Sequence, residues 1–208
     1  ERKGDYTRAM QNFERDLLLV RELGDKQGTA IACGLIGDLL SITGEFDRAI
    51  EYLEQNLTLS RELNYKKGIA KALNTLGDTW FYKGDHARSI RYYNEAIEQS
   101  REMGNKLVLG YSLMEKGIVH VAAGELHIAR QLLEEGRDIA LALGNADLTF
   151  GANILRAQVI IAEGQRAEGS APAHGVGERR RYSERKPEAA TRCERRGPWA
   201  RTRAGTGR

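Results

Sequence analysis

The chain has 208 residues, a net charge of +3 at pH 7 and 41% hydrophobic residues, a composition that is ordinary for a globular protein. No apolar run approaches the roughly 18 residues that a membrane-spanning helix needs. Two cysteines do not make the disulfide framework of a small secreted domain. This cysteine content favours a reducing compartment, and we expect a cytoplasmic protein. The sequence begins at Glu1, without Met and inside a repeat, so we expect its natural N-terminus to be missing.

Several residue patterns recur along the chain at a spacing of 40 residues. A glycine followed by an acidic residue occurs at Gly4, Gly44, Gly84 and Gly124. Five and nine positions after each glycine come a small and a large residue, namely Ala9 and Phe13, Ala49 and Leu53, Ser89 and Tyr93, and Ala129 and Leu133. A second glycine series comprises Gly37, Gly77 and Gly117, with Ala157 in the fourth copy. Periods of this length are the signature of repeat architectures, so the sequence predicts a stack of similar units.

Each 40-residue unit contains two predicted helices. The stretch between Gly44 and Asn64 has an apolar stripe at helical spacing, and so does the following stretch, residues 67–83. The fourth helix of the first kind covers about residues 146–163, and Gly164 is expected to begin another turn. Neither helix of a unit can bury its stripe alone, whereas stacking with neighbouring units buries it.

The recurring small residues predict close contacts between helices. Glycine inside a helix costs about 1 kcal/mol relative to alanine, so Gly37, Gly77 and Gly117 indicate positions where another helix approaches closely. The matching positions on the second helix of each unit are Ala49, Ser89 and Ala129, and the side chains expected to wedge between units are Leu53, Tyr93 and Leu133.

The stretch "LNTLGDTWFYKGDHARSIRYYNEAIEQSREMGN", residues 73–105, resembles a tetratricopeptide repeat. The long 40-residue form is similar to the repeats of the Pins/LGN group of signalling adaptors and to arrays in bacterial signalling ATPases and transcriptional regulators. The resemblance implies an all-α fold, a right-handed superhelical array of antiparallel helix pairs. We expect this array over residues 1–168, with about four repeats truncated at both ends. It also implies protein or peptide binding in a concave groove that the first helix of each repeat lines.

The residues expected in that groove are those of the first helices that the packing stripe does not use. They are Asp38 and Ser41 in the first copy, Lys71, Asn74, Asp78 and Phe81 in the second, and Tyr111, Met114 and Ile118 in the third. The Pins/LGN group often has Asn where Asp38 and Asp78 stand. A carboxylate accepts hydrogen bonds but does not donate them, which favours a basic, amphipathic peptide as the partner. Alternatively, the two carboxylates only hydrogen-bond to the neighbouring helix.

Residues 169–208 differ sharply from the array. They contain no Ile, Leu, Met or Phe, and they carry all three prolines. Residues 165–208 hold 12 Lys and Arg against 5 Asp and Glu, whereas residues 1–164 hold 20 against 24. This composition predicts a disordered basic segment. Three origins remain open: a tail that binds nucleic acid or an acidic membrane, a linker to another domain, or the product of a shifted reading frame.

The helix of residues 146–163 would then lack a covering helix, and we expect self-association through this end. No catalytic residues, metal site or cofactor site are expected, because the histidines lack further ligands at metal spacing and the sequence has no glycine loop of the kind that binds phosphate. The sequence thus predicts a binding scaffold in a signalling or regulatory assembly, not an enzyme. Alternatives are a sensor or autoinhibitory segment of a larger ATPase, cyclase, kinase or transcriptional regulator, and a nucleic-acid-binding protein that uses the Arg-rich tail.

Overall fold

The computed structural model describes the backbone of residues 2–169 and the side chains of residues 6–164. These residues form eight α-helices and no strand. The helices are α1 Arg2–Glu22, α2 Lys26–Thr43, α3 Phe46–Glu62, α4 Lys66–Lys83, α5 His86–Glu102, α6 Lys106–Ala122, α7 Leu126–Ala142 and α8 Ala146–Gly169. We call the first helix of each repeat (α2, α4, α6 and α8) an A helix and the second helix (α3, α5 and α7) a B helix. By the 40-residue period, α1 is also a B helix.

The turns between helices share one backbone conformation. A residue with positive φ occurs every 20 residues, at Gly24, Gly44, Asn64, Gly84, Gly104, Gly124 and Gly144. At Gly44 (φ 87°), the amide N–H groups of Gly44 and Glu45 donate to the carbonyls of Ser41 and Leu40, which satisfies the end of α2. Asn64 is the non-glycine member of this series, with φ 50°, and asparagine tolerates this region better than most residues.

Packing runs between helices that are consecutive in the chain, with additional contacts between α2 and α4 and between α4 and α6. Within each unit the A-helix glycine lies against the large side chain of the B helix. A Cβ atom on Gly37 would stand 2.6 Å from Leu53 Cγ, one on Gly77 would stand 2.8 Å from the Tyr93 ring, and one on Gly117 would stand 3.0 Å from Leu133. The buried B-helix residues at these contacts are Ala49, Leu53, Ser89, Tyr93, Ala129 and Leu133. This arrangement confirms the predicted all-α solenoid.

The end of α8 differs from the expectation. Gly164 does not begin a turn; the helix continues to Gly169. The earlier turns each lead into a helix with an apolar stripe, but residues 165–168 contain no large apolar side chain that a new turn could bury. A glycine inside a helix costs only about 1 kcal/mol, so continuing the helix is the cheaper solution.

Contacts divide the chain into a unit of residues 1–159 and a unit of residues 160–208. In the second unit the structure describes helical backbone as far as residue 169. The predicted basic tail of residues 169–208, with its Arg-rich segment, lies outside the described residues apart from the last residue of α8. Every helix in the described part of the chain is too short or too polar to cross a membrane.

Candidate functional site

The residues proposed for the groove lie on three A helices, of which α4 contacts both α2 and α6. Asp38 and Ser41 are on α2, Lys71 to Phe81 are on α4, and Tyr111 to Ile118 are on α6. Most of these side chains are partly buried, and Lys71 is exposed. The surface that they form is called the A face below, and its members are Asp38, Ser41, Lys71, Asn74, Asp78, Phe81, Tyr111 and Ile118.

Asp38 joins the first two A helices. Its Oδ2 atom lies 2.6 Å from the Lys71 ammonium, and its Oδ1 atom accepts a hydrogen bond of 3.1 Å from the Thr75 hydroxyl. The side chains of Asp38 and Lys71 are 26% and 47% exposed. An ion pair this exposed contributes little to stability.

Two further hydrogen bonds continue across the A face. The Thr79 hydroxyl donates to Ser41 Oγ at 3.0 Å, and the Ser112 hydroxyl donates to Asn74 Oδ1 at 2.7 Å. The Asn74 amide also donates to the Ala70 carbonyl at 3.0 Å. Ser41 and Asn74 therefore join neighbouring A helices. This is the packing role that the alternative interpretation assigned to Asp38 and Asp78.

Asp78 is an acid on the A face whose pKa is strongly raised. Burial raises the pKa of its carboxyl to about 7, the nearby charge of Asp38 adds to the increase, and a hydrogen bond from the Tyr93 hydroxyl opposes it. The same environment raises the pKa of Tyr93 well above its usual value, with burial as the main cause. At neutral pH, Asp78 is thus poised between its neutral and charged forms.

Glu115 on α6 is a member of this site that the sequence interpretation missed. Burial raises the pKa of its carboxyl to about 8, and the charge of Asp78 adds to the increase. The spacing of the contacting residues along the sequence would have identified Glu115. Side chains of successive A helices meet 37 or 38 positions apart, as Asp38 meets Thr75 and Ser41 meets Thr79, and 37 positions after Asp78 comes Glu115.

The prediction for Met114 needs correction. Its side chain is buried, with 4% exposure, and it packs against α7 and α8. A Cβ atom on Gly136 would be 3.1 Å from Met114 Cγ, and one on Gly151 would be 3.1 Å from Met114 Cε. Met114 fills the space that these two glycines leave, so it is a core residue.

Phe81 stacks against His86 at the start of α5, with 5.6 Å between ring centroids.

The described side chains contain no cluster of three His, Cys, Asp or Glu residues that could hold a metal ion. His120 is buried, and its Nδ1 atom lies 2.5 Å from Glu125 Oε2 at the start of α7. His127 lies beside Gln131 on the same helix, 3.3 Å away. Each of these histidines therefore has a local partner.

A cavity of about 430 Å³ lies at the junction of α7 and α8, away from the A face, and its lining includes Leu141, Asn145 and Phe150.

Comparison with known proteins supports the repeat assignment. Residues 30–63 and 70–102 match the model of the tetratricopeptide repeat, and these ranges correspond to the pairs α2–α3 and α4–α5. No match was found among curated protein sequences.

Solved structures with the same fold include BtubC (BKLC) from P. vanneervenii, which is 19% identical with a TM-score of 0.70 over 89% of this chain and 82% of that one. A kinesin light chain with TPR-like repeats from Podosopora anserina is 15% identical, with a TM-score of 0.66 over 80% of this chain and 82% of that one. A Rap protein complexed with competence and sporulation factor is 11% identical, with a TM-score of 0.68 over 80% of this chain. This chain spans 47% of the Rap protein's length.

The repeat match, the helix pairs and the 40-residue period agree with one another. Residues 30–63 and 70–102 are therefore tetratricopeptide repeats, and they lie in an all-α array of the kind that serves as a scaffold for protein interactions.

Proposed function

We propose that this scaffold binds a basic, amphipathic peptide segment along the A face, as part of a signalling or regulatory assembly. The observation that carries the proposal is the placement of Asp38, Asp78 and Glu115. These acids come from three successive A helices and lie close enough for their charges to interact. A carboxyl group that is partly buried among other carboxyl groups gains most from a cation that approaches it, because the cation relieves both desolvation and repulsion.

The third repeat supplies the apolar half of the proposed surface. Tyr111 and Ile118 on α6 are partly buried, so each keeps part of its side chain accessible. A peptide helix with basic residues on one side and apolar residues on the other would match this change from acidic to apolar along the A face. The Rap structure, solved with competence and sporulation factor, is a precedent for a bound factor on this fold.

The proposal is tested with two synthetic amphipathic peptides that share one apolar stripe. One carries Lys and Arg on its polar side, and the other carries Glu at the same positions. We expect the full chain to bind the basic peptide in a fluorescence anisotropy titration and to bind the acidic one at least about tenfold more weakly, a difference of about 1.4 kcal/mol. The affinity for the basic peptide should fall with added salt.

The double variant Asp38→Asn, Asp78→Asn should weaken binding of the basic peptide. Asp138→Asn, which removes a largely exposed carboxylate on α7, serves as the matched control and should leave the affinity unchanged. If the double variant binds as well as the wild type but melts at a lower temperature, the two carboxylates serve packing alone. Equal binding of both peptides would also contradict the proposal.

A further inference from the structure

The contact between α2 and α4 places a cation beside its aspartate. The Lys71 ammonium lies 2.6 Å from Asp38 Oδ2, and the Thr75 hydroxyl donates to Asp38 Oδ1 at 3.1 Å. Both partners come from α4, the next A helix in the chain. The Asp38 carboxylate thus has a positive charge on one oxygen and a hydrogen-bond donor on the other.

The contact between α4 and α6 repeats the aspartate without these partners. Asp78 follows Asp38 by 40 residues, and the positions equivalent to the lysine and the threonine hold Tyr111 and Glu115. A phenol and a second acid therefore replace the cation and the donor. The charges of other carboxyl groups raise the pKa values of both Asp78 and Glu115, and no positive charge among the described residues opposes them.

Tyr111 does not take over the role of the lysine. Burial and the charge of Asp147 raise the pKa of Tyr111, and a hydrogen bond with Asn145 opposes the increase. Asn145 lies just before α8, so the Tyr111 side chain reaches forward to the following A helix. Lys71 reaches back to the preceding one. Residue 111 thus contributes no partner to Asp78.

Glu115 accepts no hydrogen bond and forms no ion pair within the described part of the chain. The surrounding helices enclose its carboxyl group, and this burial is the main cause of its raised pKa. The residue is nevertheless partly exposed, and its carboxyl oxygens are not sealed from solvent. Asp78 uses its Oδ1 atom to accept a hydrogen bond from the Tyr93 hydroxyl. A ligand that approaches this pair therefore meets carboxyl oxygens that have no donor.

We propose that Asp78 and Glu115 together bind one guanidinium group of the partner peptide. This inference rests on the proposed function and specifies which peptide side chain the A face recognises. A guanidinium group is planar, has five N–H donors and can bond to carboxylates on two helices at once. It is also less strongly hydrated than an ammonium group, so it enters a partly buried site at a lower cost. An arginine side chain supplies the charge and the donors that α6 does not.

Binding of the guanidinium group releases protons from the pair. Burial raises the pKa values of Asp78 and Glu115 to about 7 and about 8, so both are partly protonated at neutral pH. The other titratable groups that act on the pair are Asp38 from α2, which holds Lys71, and Tyr93 from α5. A cation favours the ionised carboxylates, so their protons pass to the buffer. Ordinary surface carboxylates are already ionised at pH 7 and release none.

Isothermal titration calorimetry of the full chain measures this release. The ligand is an amphipathic peptide with only Arg on its polar side, titrated at pH 7 in phosphate and in Tris, whose ionisation enthalpies differ. We expect about one proton to be released per bound peptide. The affinity should increase with pH until about pH 8 and then remain constant. A peptide with Lys in place of Arg should bind several-fold more weakly, and equal affinity for the two peptides would contradict the proposal.

Glu115→Gln should weaken binding of the Arg peptide about tenfold and should remove most of the proton release. Its melting temperature at pH 8 should be no lower than that of the wild type, which shows that the variant is folded. Glu98→Gln, on the exposed side of α5, is the matched control and should change neither quantity. If Glu115→Gln binds the peptide and releases protons as the wild type does, the pair is not the binding site, although the A face still binds the peptide. Absence of binding to either peptide contradicts the proposed function as well.

Tyr111→Lys tests the same pair without altering either acid. It gives α6 the lysine that α4 has, so an internal ammonium group should occupy the carboxylates before the peptide arrives. The proton release on binding should disappear. The proton count is the measurement here, because Tyr111 also belongs to the apolar half of the A face. A folded Tyr111→Lys variant that releases as many protons as the wild type would overturn the proposal.

Discussion

Ser89 and Ser60 are both fully buried serines on B helices, but their hydroxyl groups are in different situations. The Ser60 hydroxyl donates to Asn56 Oδ1 at 2.9 Å. The Ser89 hydroxyl has no hydrogen-bond partner among the described residues. Alanine occupies the equivalent positions of the neighbouring repeats, Ala49 and Ala129, and it makes the same close contact without a polar atom.

We therefore predict that Ser89→Ala stabilises the protein by about 1 kcal/mol, because it removes an unsatisfied buried hydroxyl group. Ser60→Ala, the matched control, should destabilise the protein by about 1 kcal/mol, because it removes a satisfied one. Urea unfolding of both variants measures the two changes. A loss of stability in Ser89→Ala would show that the hydroxyl has a partner, such as a buried water molecule.

At the scale of helices, the contact between α4 and α6 brings Asp78 and Glu115 together. Burial raises both pKa values, to about 7 and about 8, so the folded state holds protons that the unfolded chain releases at lower pH. The contribution of such groups to the free energy of unfolding is greatest at acidic pH, and it is lost as the pH rises through the folded pKa values. The A-helix stack should consequently loosen in mildly alkaline solution.

We predict that the melting temperature of the wild type falls as the pH rises from about 4, near the usual pKa values of these acids, to about 8, with each unit of pKa difference worth up to about 1.4 kcal/mol. Glu115→Gln should flatten this dependence, because the amide carries no charge at any pH in that range. Glu98→Gln, on the exposed side of α5, should retain the wild-type slope. An unchanged slope in Glu115→Gln would mean that this carboxyl is hydrated in solution.

The helices and turns were predictable from the sequence, but the residues of the A face were predictable only in part. The period determined the helix pairs and turns such as Asn64, because glycine and asparagine tolerate positive φ. The end of α8 was not predictable from the glycine pattern, since a turn at Gly164 needs a following apolar stripe that the sequence lacks. Glu115 was missed because its surroundings depend on the stagger between successive A helices, and Met114 was misjudged because its burial depends on the space that Gly136 and Gly151 leave. The hydrophobic pattern of a single helix does not determine that stagger.

At the scale of the whole chain, the described helices pack mainly against their neighbours in sequence. The stability of such a solenoid is close to a sum of repeat and interface contributions. Each 40-residue unit brings the same pair of interfaces, because Gly37, Gly77 and Gly117 all lie against the B helix of their own unit. Exchanging one unit for the next should preserve those interfaces.

We predict that deletion of residues 44–83 leaves a folded protein with a single cooperative transition and a lower melting temperature, because α2 then pairs with α5. Deletion of residues 44–63 should abolish cooperative unfolding, because it removes a B helix and places two A helices in succession. Circular dichroism during thermal melting distinguishes the two outcomes. Equal behaviour of both deletions would contradict the assignment of distinct A and B helices.

The turns recur every 20 residues, whereas equivalent packing partners recur every 40. Unequal crossing-over between two gene segments that encode such turns changes the number of helices. Its products therefore fall into two classes. Recombinants that differ by an even number of helices keep every A helix beside a B helix, and those that differ by an odd number do not. Inherited variation in the length of such a gene should accordingly occur in whole repeats, with each step lengthening or shortening the A face by one helix.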